Sequence, residues 1–209
     1  MLYRVQVLSD LNEGIPIVNS KKDESYEHLY YWTLFTYERR IHSAFNSAGI
    51  ETLVDVRAYP GSRKFPWFAN DKMAERLPEA GINYTHIEEL GGRRQPSQLI
   101  SPALNDGWDN QSFHNYADYT LSDCFQVAVK KLTEIASEKT RAYCCSERHP
   151  ARCHRLIISN WLAVHDWSVT HIVPNSKGAA DLVPHELGQW GAMLIIEEDK
   201  TVVYPPLNT

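Results

Sequence analysis

The sequence predicts an α/β fold, a three-layer sandwich built on a mainly parallel sheet, and three observations carry that expectation. Short apolar runs of strand character, at residues 52–57, 82–87, 141–145 and 168–173, alternate with stretches of helical spacing. The first three of these runs lead directly into polar turns punctuated by glycine or proline, as strand-to-helix loops do. The composition, 43% hydrophobic and 22% charged over 209 residues, is that of a globular chain able to bury a substantial core. A single domain over residues 1–209 is expected, with an N-terminal insertion at about 10–31 and a C-terminal tail at about 175–209.

In chain order, residues 2–8 alternate apolar and polar as a strand would, and residues 10–24 are turn-rich. Ser25 can cap a helix running to Gly49, with Leu29, Trp32, Leu34, Phe35, Ile41 and Phe45 near helical spacing. The strand at 52–57 is followed by a turn holding Pro60 and Gly61. Asp71 caps a short helix through Leu77, closed by Pro78 and Gly81. The strand at 82–87 runs into Glu88-Glu89-Leu90-Gly91-Gly92-Arg93-Arg94, and the next twenty residues, with Pro96, Pro102 and Gly107, read as a long loop. Trp108, Phe113, Tyr116 and Tyr119 lie where that loop enters a helix, for core or lid packing or as a stacking platform for a base. Ser122 or Asp123 opens a helix through Ile135 that turns Val127, Val129, Leu132 and Ile135 inward. After the strands at 141–145 and 168–173, residues 192–197 and 201–204 form a C-terminal β-hairpin, expected as an antiparallel addition at a sheet edge.

Composition also limits function. A net charge of −5 gives no footprint for extended duplex nucleic acid, although a local basic site can still bind a phosphate. No apolar run approaches the roughly 20 residues that span a bilayer, and the first residues do not have the form of a signal peptide. A cytoplasmic protein with reduced thiols is therefore expected.

In a parallel sheet the three post-strand turns converge on one edge, where ligands bind. On the first strand Asp55 and Arg57 share a face, either as an internal ion pair or with Arg57 and Arg63 forming a fork for an anionic group. Ser62 is then a hydrogen-bond donor in the same turn. Glu89, Gly91 and Gly92 form a glycine turn after the next strand, a weak phosphate-loop signal taken alone. Residues 141–155 hold four arginines, two histidines, three cysteines and one carboxylate.

That last stretch admits four readings. Cys153, flanked by Arg152, His154 and Arg155 near a helix start, sits where a thiolate is stabilised. Cys145, Cys153 and His154 can bind a metal, although their spacing is not a standard zinc pattern. Glu147 and His154 can act as acid and base on a substrate held by arginines. The structural alternative buries the cysteines as small apolar residues and pairs Glu147 with Arg155; Cys144 and Cys124 are expected in that class. A phosphatase loop is excluded, because it needs Arg six residues after Cys and positions 150 and 151 are Pro and Ala.

Four segments in order, Asp55-Val56-Arg57 with Pro60 and Ser62-Arg63, then Gly81-Ile82-Asn83-Tyr84, Glu89-Leu90-Gly91-Gly92, and Cys145-x-Glu147-x-x-Pro150-x-x-Cys153-His154-Arg155, resemble the "domain of unknown function 488" family. The likeness covers about residues 49–173, with Pro184-His185 as a further element. It implies a Rossmann-like α/β sandwich and no assigned activity. Members of that family also carry a Gly-His-Ser-like segment after the opening strand, whereas here that strand ends Val7-Leu8-Ser9-Asp10.

The leading expectation is an enzyme acting on a phosphorylated or nucleotide-like substrate. Arg57, Arg63 and Arg155 would hold anionic groups, Glu147 and His154 would handle protons, and Cys145 and Cys153 would shape the site or supply a thiolate. A redox- or metal-sensing binding module and a nucleic-acid-processing component are the alternatives. The sequence names no cofactor and no oligomeric state.

Overall fold

The computed structural model describes residues 4–10, 50–61, 65–138, 141–147, 149–174 and 180–206. The helix expected at 25–49, and most of the insertion before it, lie outside those residues, as do Ser62 and Arg63.

A six-stranded sheet forms the middle layer. Its strands are β1 (Arg4–Asp10), β2 (Thr52–Asp55), β3 (Asn83–His86), β4 (Arg141–Cys145), β5 (Trp167–Pro174) and β6 (Ala180–Pro184), in the order β3-β2-β4-β1-β5-β6. β2 pairs in parallel with both β3 and β4, and the register sets Asp55 opposite His86 on one side and Cys144 on the other. β1 enters antiparallel between β4 and β5, and β6 closes the far edge antiparallel to β5. Four of the six strands, β2 to β5, therefore run one way.

Helices cover both faces, which is why the central strands are almost continuously apolar rather than alternating. All four residues of β2 and all five of β4 are buried. Leu53, Ala142 and Cys144 face one layer, meeting Phe68 and the helix α1 (Asn70–Arg76) through Met73. Val54, Val56, Tyr143 and Cys145 face the other, formed by α2 (Gln111–Thr120), α3 (Asp123–Glu138) and α4 (Arg155–Val164). Eight of the ten residues of α4 are buried, so this helix is packed nearly all round and is held rigidly against the sheet.

The short helix at 70–76 ends as expected: Gly81 takes a left-handed φ of 77°, which lets the chain turn from Pro78–Ala80 into β3. Three expectations are revised. The end of the long loop is helical, because Asn110 caps α2 by accepting a hydrogen bond from Ser112 N–H at 2.9 Å. Val127 is 58% exposed, since its place on α3 is turned away from Val129 and Leu132. Among the described residues the C-terminal hairpin, β7 (Ile195–Ile196) with β8 (Val202–Val203), forms its own two-stranded sheet and packs Val202 and Tyr204 into the helical layer's core instead of extending the six-stranded one. The far sheet edge is taken by β6, a short strand with Pro184 at its end and no clear pattern in sequence.

Candidate functional site

β4 delivers Cys145 at its carboxyl end, and the chain returns through the turn Pro150–Arg152 to Cys153 and the start of α4. Pro150 opens that turn where an N–H would have no partner, His149 Nδ1 accepts from Ala151 N–H at 3.1 Å, and Cys153 N–H donates to Pro150 O at 3.0 Å. This local geometry folds the seven intervening positions back so that Cys145 and Cys153 meet.

The result is a buried cluster. Cys145 Sγ, Cys153 Sγ and His154 Nδ1 all lie within 4.8 Å of one another, with His154 Nδ1 4.0 Å from Cys145 Sγ and 3.8 Å from Cys153 Sγ. His154 Nε2 is 3.1 Å from Val56 O. A carbonyl only accepts, so Nε2 carries the hydrogen and the Nδ1 lone pair faces the two sulfurs. Arg155 Nε donates to Cys153 Sγ at 3.2 Å, and its Nη2 donates to Glu147 O at 2.8 Å.

The two thiols are driven apart in acidity. Burial pushes the Cys153 thiol up, but a hydrogen bond from Cys145 and the Arg155 guanidinium outweigh it and bring Cys153 down to about 6. Cys145, whose S–H is held by the Cys153 sulfur and whose surroundings are dry, is pushed up to about 12. Burial works against the charge on Arg155, yet the neighbouring sulfurs hold its pKa above the ordinary arginine value. Of the two thiols Cys153 is therefore the more acidic, with Arg155 beside it to match a thiolate charge and Cys145 placed as its hydrogen-bond donor.

Two glycines make the approach of the other loops feasible. A Cβ on Gly91 would stand 2.6 Å from Ala58 Cα, and one on Gly92 would stand 2.4 Å from His154 Nδ1. The Glu-Leu-Gly-Gly turn therefore lies against both the post-β2 loop and the imidazole, with backbone where any side chain would collide. Arg94 fastens this turn by donating to Gly91 O at 2.8 Å and Glu89 O at 2.5 Å, with its guanidinium 3.8 Å over the Tyr119 ring. Tyr116 donates to Leu90 O at 2.7 Å and sets its ring 4.9 Å from that of His154.

The remaining candidate residues are placed differently. Asp55, fully buried, accepts from Arg57 N–H at 3.0 Å, from Arg57 Nε at 2.8 Å, from Arg57 Nη2 and from Tyr84 O–H at 2.7 Å. Arg57 also reaches Met73 Sδ at 3.5 Å, which puts the pair on the α1 side of the sheet, opposite the sulfurs. Glu147 is exposed and joins the cluster through its backbone carbonyl, not as a partner for Arg155 through its carboxylate. Glu89 lies outside the cluster, paired at 3.1 Å with Lys131 Nζ. Cys144 is buried on the α1 face and its thiol is pushed well up by burial, whereas Cys124, expected to be buried, is exposed on α3.

One contributor was not singled out in sequence, the Val56 carbonyl; a separate polar chain on α4 and the tail starts at Asn160. Asn160 Oδ1 lies 3.1 Å from His185 Nε2, and His185 Nδ1 lies 2.9 Å from His171 Nε2. Backbone carbonyls carry no sequence signal, but His185 beside Pro184 in the tail was a usable one.

Parallel strands whose end loops bring two thiols and an imidazole to one buried point define an α/β protein with a soft-donor centre at the carboxyl edge of its sheet. The chain belongs to the family described as "Domain of unknown function DUF488", whose profile matches residues 36–162. No curated protein and no solved structure matches it significantly. Among the described residues no helix is long and apolar enough to cross a membrane.

Proposed function

We propose that the working centre of this protein is a reversible dithiol, Cys145 with Cys153, and that it acts as a redox module. The observation that carries this reading is the cluster geometry: two sulfurs within 4.8 Å, Arg155 Nε 3.2 Å from one of them, and the His154 Nδ1 lone pair beside both. A disulfide needs sulfurs about 2 Å apart, so closure takes less than about 3 Å of movement shared between two side chains.

With a small disulfide as oxidant the chemistry balances. The Cys153 thiolate attacks one sulfur, the oxidant's S–S bond breaks, and one thiolate leaves and takes up a proton. Cys145 then passes its proton to His154 Nδ1 and attacks Cys153 Sγ, releasing the second thiol. The protein gains a disulfide as the oxidant is reduced to two thiols.

An arginine-lined phosphate site finds less support. Arg57 is held by Asp55 on the opposite face, and Arg155 is 1% exposed and directed at Cys153 and Glu147 O. Cys124 is exposed, so the test uses a Cys124→Ser background. Treatment with glutathione disulfide should yield a Cys145–Cys153 linked peptide by mass spectrometry, reversed by dithiothreitol. Mixed disulfides alone, or no reaction faster than in the unfolded chain, would remove the redox reading.

A further inference from the structure

We infer that the reduced protein binds one zinc-class ion through Cys145 Sγ, Cys153 Sγ and His154 Nδ1. Tetrahedral zinc with Zn–S near 2.3 Å and Zn–N near 2.0 Å implies S···N separations of about 3.5 Å. The two S···N distances here, 3.8 and 4.0 Å, need to contract by only a few tenths of an ångström. Three soft or borderline donors converging on one point is a set that zinc, with no geometric preference of its own, accepts readily.

Two further features suit an ion and not merely a packed thiol pair. The imidazole is already in the tautomer a ligand requires, because Nε2–H is tied to Val56 O, the outer-shell contact that orients metal-bound histidines. Gly92 then keeps side-chain atoms off the ring beside Nδ1, where a Cβ would stand 2.4 Å away. Charge also balances: two thiolates match a divalent ion, and Arg155 Nε donates to Cys153 Sγ from outside. Three protein ligands leave the fourth position for water or an exogenous donor, the pattern of an exchangeable site and not a closed structural one.

This inference deepens the redox reading, and only its regulatory half rests on it: the ion and the disulfide use the same two sulfurs, so each state excludes the other. Oxidation ejects the ion, and a bound ion protects the thiols.

The experiment titrates reduced Cys124→Ser protein with zinc against a chromophoric chelator, then repeats it with cobalt to read thiolate charge-transfer and tetrahedral ligand-field absorption. One equivalent is expected, lost in Cys153→Ser and Cys145→Ser. His154→Gln separates the ideas, since it should lose at least tenfold in zinc affinity while the Cys145–Cys153 disulfide still forms at equilibrium, only more slowly because Nδ1 no longer takes the Cys145 proton. Circular dichroism of each variant checks folding, and the stoichiometry of the Cys124→Ser parent stands whatever the further variants do. Zinc binding well below one equivalent, or unchanged in a folded His154→Gln variant, overturns the metal site while the disulfide stands. One equivalent of zinc with no disulfide on oxidation overturns the redox reading and leaves the metal site in place.

Discussion

The Asp55–Arg57 pair gives the sharpest test of how this sheet edge is built. Asp55 is fully buried and Arg57 is 4% exposed, and the carboxylate takes hydrogen bonds from Arg57 N–H, Nε and Nη2 and from Tyr84 O–H. Asp55→Asn keeps the size of the side chain but removes the charge, and one of its two polar atoms becomes a donor facing donors. Taking one partner from a buried ion pair costs about 3–5 kcal/mol, most of it the cost of leaving the other charge in a dry site. Against a total stability of about 5–15 kcal/mol this is a large share. In a chain of this length it corresponds to a fall in Tm of roughly 6–20 °C. The assay is urea denaturation with calorimetry on Asp55→Asn, Arg57→Met and the double variant. The double variant should lose less than Asp55→Asn alone, because a buried methionine beside Met73 needs no counter-charge. A single-variant loss under about 1 kcal/mol, or a coupling energy near zero, would refute the account of a structural pair and reopen Arg57 as a ligand-binding group.

Three other perturbations follow from the same geometry. Gly92→Ala forces a methyl to within 2.4 Å of His154 Nδ1 and should cost about 1–3 kcal/mol while weakening zinc binding by tenfold or more, read by denaturation and chelator competition. Arg94→Ala removes donors from the carbonyls of Gly91 and Glu89 and a cation over Tyr119, and should lower stability by about 2 kcal/mol with faster amide exchange at residues 88–92. Burial holds the His185 imidazole down at about 4, against 6.5 for an ordinary histidine, so above pH 6.5 it has no effect on stability. As pH falls from 6.5 to 4 the unfolded chain takes a proton that the folded chain refuses, and stability should drop by up to about 3 kcal/mol, a slope that His185→Gln removes.

Much of the architecture was legible in the chain. The strands at 52–57, 82–87, 141–145 and 168–173 are real because runs such as Leu53-Val54 and Tyr143-Cys144-Cys145 make stable strands only when both faces are covered. The convergence of three loops on one edge followed from the parallel arrangement, and it is seen in Gly92 against His154 and Gly91 against Ala58. The stretch from Cys145 to Arg155 was legible as a centre from its density of reactive side chains. What misled was α3, where an apolar Val127 carries no mark of being exposed, and the tail, where Ala180–Pro184 is too short to show a period.

The amino-acid order by itself determined the elements and where the reactive groups cluster, because spacing, capping and turn residues act over a few positions. Which of those groups remain available was decided by the tertiary structure alone. Asp55 and Arg57 find each other across two positions, but whether their face meets the sulfurs depends on strand register, and one step of the chain flips it. His154 acquires its tautomer from a carbonyl 98 positions away, and the Cys153 thiol is brought down by the Cys145 hydrogen bond and the Arg155 guanidinium, against the burial that α4 and β4 impose. Long-range contacts of this kind leave no trace in local spacing, so the sequence could locate the centre while only the fold could show that the sulfurs, the imidazole and Arg155 are turned toward one another and Arg57 is not.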